Sequence, residues 1–386
     1  MRSLFAVARV ELLRILTIRA ALAALVIGPL IYALYYPQPY RNEALRDVPI
    51  VLVDLDGTDS SRQLARSLDA SSDVSVAAVL PDEASAEREV YARQYYGILV
   101  IPQYFERDLL HGRQSPIALY ADSSYFLIYQ RISGAVTAVA KTFGAEVETT
   151  RLIAAGIDPA IAVAASGPMP LTTVALFNPQ GGYATYILPA AFALILQQTM
   201  LMGVGLLATI NDGRMTADPT ARSAGAVALV LGKLLAYLVV EAAVLPFYLI
   251  VLPYLYDIPR LGPIWSVLVF SLPFVLSVAA LGMIIGQLSR KPLVVQLIGA
   301  ALGLPFIFLA GFTWPIEAVP DPLRTIAVLL PSSSAITGIV DVSQLGASLS
   351  LVRQPFLTLW LLAALYAIIA MVLEAYRSKA AEQARA

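Results

Sequence analysis

Long apolar runs, unevenly spaced, dictate what this chain can become. They cover residues 20–36, 184–210, 224–252, 264–287, 293–312 and 355–373, and a polar stretch parts the first from the rest. An apolar segment of about 20 residues matches the bilayer core as a helix, because each of its backbone polar groups then finds a partner inside the segment. The pattern predicts a mostly α-helical integral membrane protein with about six transmembrane helices. An α/β extracytoplasmic domain is inserted between the first and the second. Composition agrees: 58% of residues are hydrophobic and only 14% charged, against about 25% charged in soluble domains.

The short loops set the expected orientation. Arg2, Arg9, Arg14 and Arg19 precede the first run, and Arg214 and Arg222 follow the second. Arg290 and Lys291 follow the fourth, and Arg377, Lys379 and Arg385 follow the sixth. The alternate loops carry only Arg260 on one and Arg324 and Arg353 on the other. Positive residues favour the cytoplasm, so both termini are expected inside. The large insertion is then periplasmic or extracellular. Residues 1–19 place Leu4, Phe5, Ala8, Leu12, Ile15 and Leu16 at helical spacing. That suggests an amphipathic interface helix on the cytoplasmic surface, with simple charge anchoring as the alternative. The first run, 20–36, ends in Tyr-Tyr-Pro rather than a small-residue cleavage site, which favours an uncleaved anchor.

The insertion, taken as residues 37–183, alternates β-rich runs with helical patterns. Strands are expected at 48–53, 74–79, 97–101 and 117–120, helices at 60–68 and 126–155, and a polar return at 165–182. Pro81, Asp82, Glu83 and Glu87 mark a further helix start. The segment Asp54-Leu55-Asp56-Gly57-Thr58, after four apolar residues, has the form of a haloacid-dehalogenase-type nucleophile loop. The downstream Lys and late acidic pair of that chemistry are missing, since Lys141 lies inside the long helix. A strand-ending turn, with Asp59 or Ser60 capping the next helix, is therefore the favoured reading. His111, the single histidine, falls in a turn beside Gly112, and no cysteine is present. Histidine triads, thiolate metal sites and disulfides are thereby excluded. The net charge of −1 leaves no basic surface for nucleic acid.

Four segments carry a resemblance. Gly311-Phe312-Thr313-Trp314-Pro315-Ile316-Glu317-Ala318-Val319-Pro320 is followed by Leu330-Pro331. Gly97-Ile98-Leu99-Val100-Ile101-Pro102-Gln103-Tyr104-Phe105 lies in the insertion. Phe177-Asn178-Pro179 with Tyr183 and Pro189 leads into the second run. Arg9-Val10-Glu11 lies on the N-terminal helix. In their order along the chain they resemble the permease subunits of type-2 ABC exporters, in the subclass with a large external loop after the first span, which implies the plasma (inner) membrane of a bacterium. The resemblance implies re-entrant helices near 313–340 around Gly311, Pro315, Glu317 and Pro320. It also implies five further spans within 184–373 and a cytoplasmic tail at 374–386. The loop after the second run departs from the family's E-R-E-x-G-T pattern, keeping only Arg214 and Thr216 of Asn211-Asp212-Gly213-Arg214-Met215-Thr216.

From the resemblance, the chain is expected to be a transport subunit and not an enzyme. It would hold no cofactor of its own, with ATP and Mg used by a separate ABC ATP-binding subunit. Gly225 to Gly232-Lys233 has the wrong spacing for a phosphate loop. Glu11, Arg14, Asp212, Arg214 and Thr216 are the expected coupling residues. A second permease copy or paralogue and a periplasmic adaptor are the other expected partners, within a lipid membrane. Gln197, Gln198, Glu241 and Gln296 are polar groups within the spans, candidates for a substrate path or for bonds between helices. The expected cargo is amphipathic, drug-like or lipid-like. The rival reading is a non-transporting receptor or envelope scaffold whose external domain binds a partner.

Overall fold

A computed structural model describes residues 1–41, 44–169, 171, 174, 176–178 and 181–383. For residues 304 and 380–382 it covers the backbone alone. Pro179 and Arg385, named above, lie outside the described residues. The chain separates into two compact units, residues 1–43 with 175–386, and residues 44–174.

The first unit is a helical bundle. Among the described residues, five helices are long and apolar enough to cross a bilayer: Arg19–Tyr40, Tyr183–Thr209, Ala226–Leu255, Ile264–Ser289 and Arg353–Lys379. The run at 293–312 forms an 18-residue helix, Pro292–Leu309. At 1.5 Å per residue it measures about 27 Å, close to the bilayer core. After it, Gly311 turns the chain at φ +81°, and Pro315 and Pro320 flank a single 3-10 turn, Ile316–Ala318. Two short helices follow, Asp321–Ala327 and Pro331–Ser343, meeting at 78°. Counted as one broken span, this pair brings the candidates to six.

Proline shapes the first and third spans in the same way. Each contains a π turn, Ala23–Ile27 and Phe247–Val251, placed just before a helical segment with proline in its first two positions, Pro29 and Pro253. A proline cannot donate to the carbonyl four residues back, and a wider turn absorbs the mismatch. The second and fourth spans pack by another device. A Cβ at Gly205 would meet Val295 at 2.7 Å, one at Gly282 would lie 3.0 Å from the Leu201 carbonyl, and one at Gly286 would collide with the Gly205 carbonyl. Glycine therefore sets how closely these backbones approach.

The second unit is built on a four-stranded sheet of order β2-β1-β3-β4. β1 (Val48–Asp54) runs parallel to β2 (Val74–Val79) and β3 (Gly97–Ile101), and β4 (Ala118–Ala121) pairs antiparallel with β3. Ile50, Leu52, Leu99 and Ile101 pack with Leu64 and Leu68 of the Asp59–Asp69 helix and Ile132 and Val136 of the Phe126–Ala154 helix. Val51, Val53, Ile98 and Val100 pack under Ala86 of the Glu83–Tyr91 helix. Burial on both faces is why β1 and β3 read as continuous apolar runs. Two short helices, Phe105–Leu110 and Pro159–Ser166, escape the sequence reading. Asp82 caps the Glu83–Tyr91 helix by accepting from Ser85 N at 2.8 Å, so Pro81 precedes the helix rather than opening it.

The Asp54-x-Asp56-Gly57-Thr58 turn is occupied with itself. Asp54 accepts from the Asp56 and Gly57 backbones at 3.0 and 2.9 Å and from Ser61 Oγ at 2.7 Å. Asp56 accepts from Thr58 Oγ1 at 2.6 Å and from Glu106 N at 3.0 Å. Desolvation works to raise the Asp56 pKa, yet hydrogen bonds from Thr58 and the backbone of residues 104–106 hold it below the ordinary value. Thr58 is the helix cap here, not Asp59 or Ser60. These carboxylates close a strand and start a helix.

Replacing Gly286 by leucine is expected to part the second and fourth spans, at a cost of about 1–3 kcal/mol or more. Thermal unfolding of the detergent-solubilised protein checks this. Gly303→Ala, where a Cβ meets nothing within 4 Å, should leave the melting temperature unchanged.

Candidate functional site

Two features of the helical unit gather the polar residues singled out in its sequence. One is an ion cluster where the N-terminal helix, Arg2–Thr17, meets the Thr209 end of the second span. This helix buries Val7, Ala8, Val10 and Ile15, and on the same face Glu11 and Arg14. It lies close on the third span because Gly232 leaves room there: a Cβ would stand 2.7 Å from the Leu4 carbonyl.

A helix ends with carbonyls that have no intrahelical donor and carry the negative end of its dipole. Arg14 meets both needs. Its Nη2 donates to the Ile210 carbonyl at 2.5 Å and the Leu207 carbonyl at 3.1 Å. Its Nη1 donates to Glu11 Oε2 at 2.6 Å, and its Nε stands 3.2 Å from Asp212 Oδ1. Glu11 is fully buried and takes a further hydrogen bond from the Tyr237 hydroxyl of the third span at 2.6 Å. Burial works against the Arg14 charge, but Glu11, by charge and hydrogen bond, and then Asp212 raise its pKa above the ordinary arginine value. Arg214 joins from outside: it pairs with Asp212 at 3.4 Å and donates to the Leu13 carbonyl at 3.3 Å and to Thr17 Oγ1. Thr216 stays apart, its hydroxyl bonded at 2.7 Å to the carbonyl of Gly213, a residue at φ +73°.

Four of the five expected coupling residues thus form one network, with Glu11 and Arg14 buried inside it and Arg214 and Thr216 exposed. Tyr237 was missed by sequence reasoning. Its signal was present, since it stands one helical turn before Glu241 on the same face.

The second feature is a groove of about 700 Å³ walled by the first span, the second span and the Pro292–Leu309 helix. Ala20, Ala23, Ala24 and Gly28 of the first span face Gln198, Thr199 and Met202 of the second, with Gln296 and Phe306 across from them. Among the described residues, no Asp, Glu, Lys or Arg lines the groove. One end carries Tyr32, Tyr36, Tyr40 and Tyr183. Tyr36, Tyr40, Tyr183 and Tyr186 follow one another at ring separations of 5.7, 5.8 and 6.1 Å, and the Tyr186 hydroxyl donates to the Phe312 carbonyl.

Of the four polar groups expected within the spans, Gln198 and Gln296 line this groove. Gln198 donates to the Gly299 carbonyl at 2.6 Å, and its own carbonyl oxygen is buried with no hydrogen-bond partner. Gln197 and Glu241 are buried elsewhere in the bundle, and neither amide atom of Gln197 has a partner. Glu317 is exposed on the 3-10 turn between Pro315 and Pro320. Tyr32 and Tyr40 of the groove end went unremarked in the sequence, although aromatic residues at a span's end are a familiar membrane-interface signal.

Arg14→Met should strand Glu11 as a buried, unpaired charge and cost about 3–5 kcal/mol, while Glu11→Gln together with Arg14→Met should cost less than the two changes summed. A double-mutant cycle in thermal or denaturant unfolding measures this coupling, and strict additivity would refute it.

Against known protein families, residues 19–372 match the family described as ABC-2 family transporter protein. Neither the curated proteins nor the solved structures contain a match to the chain.

Proposed function

We propose, from the premise that the chain belongs to the ABC-2 transporter family, that it exports an amphipathic, drug-like or lipid-like molecule through the groove of its first span, its second span and the Pro292–Leu309 helix. It is the permease subunit of an ABC transporter and not itself the ATPase. A separate ATP-binding subunit supplies the energy, and ATP and Mg belong to that subunit. The groove carries the reading. About 700 Å³ of space in a wall of membrane helices, with no Asp, Glu, Lys or Arg among its described lining residues, suits a molecule that is mostly apolar. The tyrosines at one end, with Gln296, offer the few polar contacts that orient such a molecule.

In this reading the N-terminal helix and the 211–217 loop face the cytoplasm of a bacterial cell, and residues 44–174 lie outside the inner membrane. A second permease completes the path across from the groove, and the outer unit is available to an adaptor. The ATP-binding subunit presses on Arg214 and Thr216, which are exposed. Glu11 and Arg14, buried behind them, pass the displacement to the second and third spans.

Pull-down of the tagged chain from its native membrane in mild detergent is expected to bring a stoichiometric ATP-binding protein. Arg214→Glu with Thr216→Arg should cut that recovery several-fold. Recovery of no ATP-binding protein, under conditions that hold a known ABC complex together, would overturn the reading.

Filling the groove tests the path separately. Ala24→Trp should lower efflux of an amphipathic dye at least about tenfold, a barrier change of about 1.4 kcal/mol, while ATP hydrolysis by the complex persists. Undiminished efflux would move the path elsewhere.

A further inference from the structure

Three helices of the 44–174 unit end in the same way, and one of them breaks the pattern. After Phe105–Leu110, Gly112 N donates to the Leu109 carbonyl and Arg113 N to that of Asp108. After Phe126–Ala154, Gly156 N donates to Ile153 and Ile157 N to Leu152. After Glu83–Tyr91, Arg93 N donates to Val90 at 2.9 Å and Gln94 N to Glu89 at 3.0 Å. Each is a Schellman ending, whose pivotal residue must be left-handed and is usually glycine. Gly112 and Gly156 satisfy this at φ +68° and +86°, but the third ending has Arg93 at φ +57°. A large side chain held in that conformation points to a task for the side chain.

The task is visible beside it. The Glu83–Tyr91 helix covers the centre of one sheet face, over Val51, Val53, Ile98 and Val100. Tyr120 of β4, paired with Ile98, lies on that same face at the sheet's edge and is more than half exposed. Between the helix end and β4 a cavity of about 460 Å³ opens, within the range of small-molecule sites. Glu87, Tyr91, Arg93, Tyr120 and Asp122 line it, with Ser123 and Ser124 at the rim. Tyr91 is 83% exposed. The Arg93 guanidinium lies 5.0 Å from the Tyr125 ring centre. Asp122 Oδ1 accepts from Ser124 N and Oγ at 2.9 and 2.6 Å, fixing the carboxylate in place. Among the described residues, Asp122 Oδ2, Glu87 and the hydroxyls of Tyr91 and Tyr120 have no hydrogen-bond partner.

We propose that this cavity is a saccharide-binding site. Two carboxylates in the lining exclude a polyphosphate, and the arginine in the same lining disfavours a bare cation. Among the described residues no group of three or more His, Asp or Glu is gathered for a metal. A neutral polyol suits the set, because each sugar hydroxyl both donates and accepts. Glu87 and Asp122 accept hydrogen bonds from its hydroxyls, Arg93 and the tyrosine hydroxyls donate to them, and the apolar ring faces of Tyr91 and Tyr120 cover its C–H faces. The site is independent of the transport reading and lies wholly within residues 44–174.

The full-length protein in lipid nanodiscs, prepared without glycoside detergent, is the sample. Saturation-transfer NMR with N,N′-diacetylchitobiose, cellobiose and maltose as probes is the readout. At least one disaccharide should receive saturation, and Tyr91→Ala and Tyr120→Ala should each weaken its binding about tenfold or more. Arg93→Gly is the sharpest variant: glycine suits the backbone there, so thermal stability should not fall, yet binding should weaken about tenfold. Transfer to none of the three sugars overturns the proposal, as does transfer undiminished in the double tyrosine variant. Arg93→Gly binding as the wild type would equally overturn it.

Discussion

The helical unit depends on how the second span ends. Its last carbonyls need donors in a place where water is scarce, and Arg14 supplies them from a different helix. An arginine so placed must be charged, so Glu11 and Asp212 are drawn in to balance it. An exposed pair of this kind contributes little, commonly below about 1 kcal/mol. A buried one is different. Its net worth is small, but removal of either partner is costly, which makes the cluster a fixed joint. Through that joint the N-terminal helix is bonded to the second span by Arg14 and to the third by the Tyr237 hydroxyl. A displacement of the N-terminal helix therefore cannot leave either span where it was.

The groove follows from an imbalance in how the spans are held. In its most apolar window the second span is 72% buried, while the first is 28% buried. The first span keeps alanine and glycine toward the groove and large side chains such as Ile31 and Leu34 exposed. Small residues on one side leave space, and exposed apolar residues on the other require lipid or a partner helix. The absence of charge in the lining has the same origin. A fixed ion there would need a counterion in a wall that has no polar backbone to spare.

Much of this was legible in the chain because it rests on periodicity. The apolar runs became helices, and the four β-rich runs of the insertion became the sheet, with β1 and β3 continuous because both faces are covered. The misses have a physical pattern. Glu11 and Arg14 were read as coupling residues without their burial, since nothing along the chain shows that Arg14 reaches carbonyls nearly two hundred residues away. Tyr237 and the groove tyrosines acquire meaning only from neighbours on other helices. The Phe105–Leu110 helix is too short to show a period, and its N-cap Tyr104 sits at φ +67°, where a sequence rule expects glycine or asparagine. The acidic turn after β1 deceived in the other direction. Asp54 and Asp56 have the spacing of a catalytic pair, and only the hydrogen bonds from Gly57, Ser61 and Glu106 show that their oxygens are already spent.

The bundle is stiff and compliant in different places, and the division falls on the groove. The second and fourth spans meet at Gly205, Gly282 and Gly286, with backbones too close to slide without collision. Interfaces packed to that density shift between discrete arrangements rather than deform. The first and third spans each carry a π turn and a proline, where a hydrogen bond has already been given up and bending costs less. These two weak points are tied to each other, because the Tyr248 hydroxyl, in the third span's π turn, donates to the Pro29 carbonyl just past the first span's. One wall of the groove is therefore the rigid second span and the other is the compliant first. A force that enters at the ion cluster reaches the third span at Tyr237 and can leave it at Tyr248, on the side where the first span yields. The groove can then change width while the glycine-packed core beside it stays as it is.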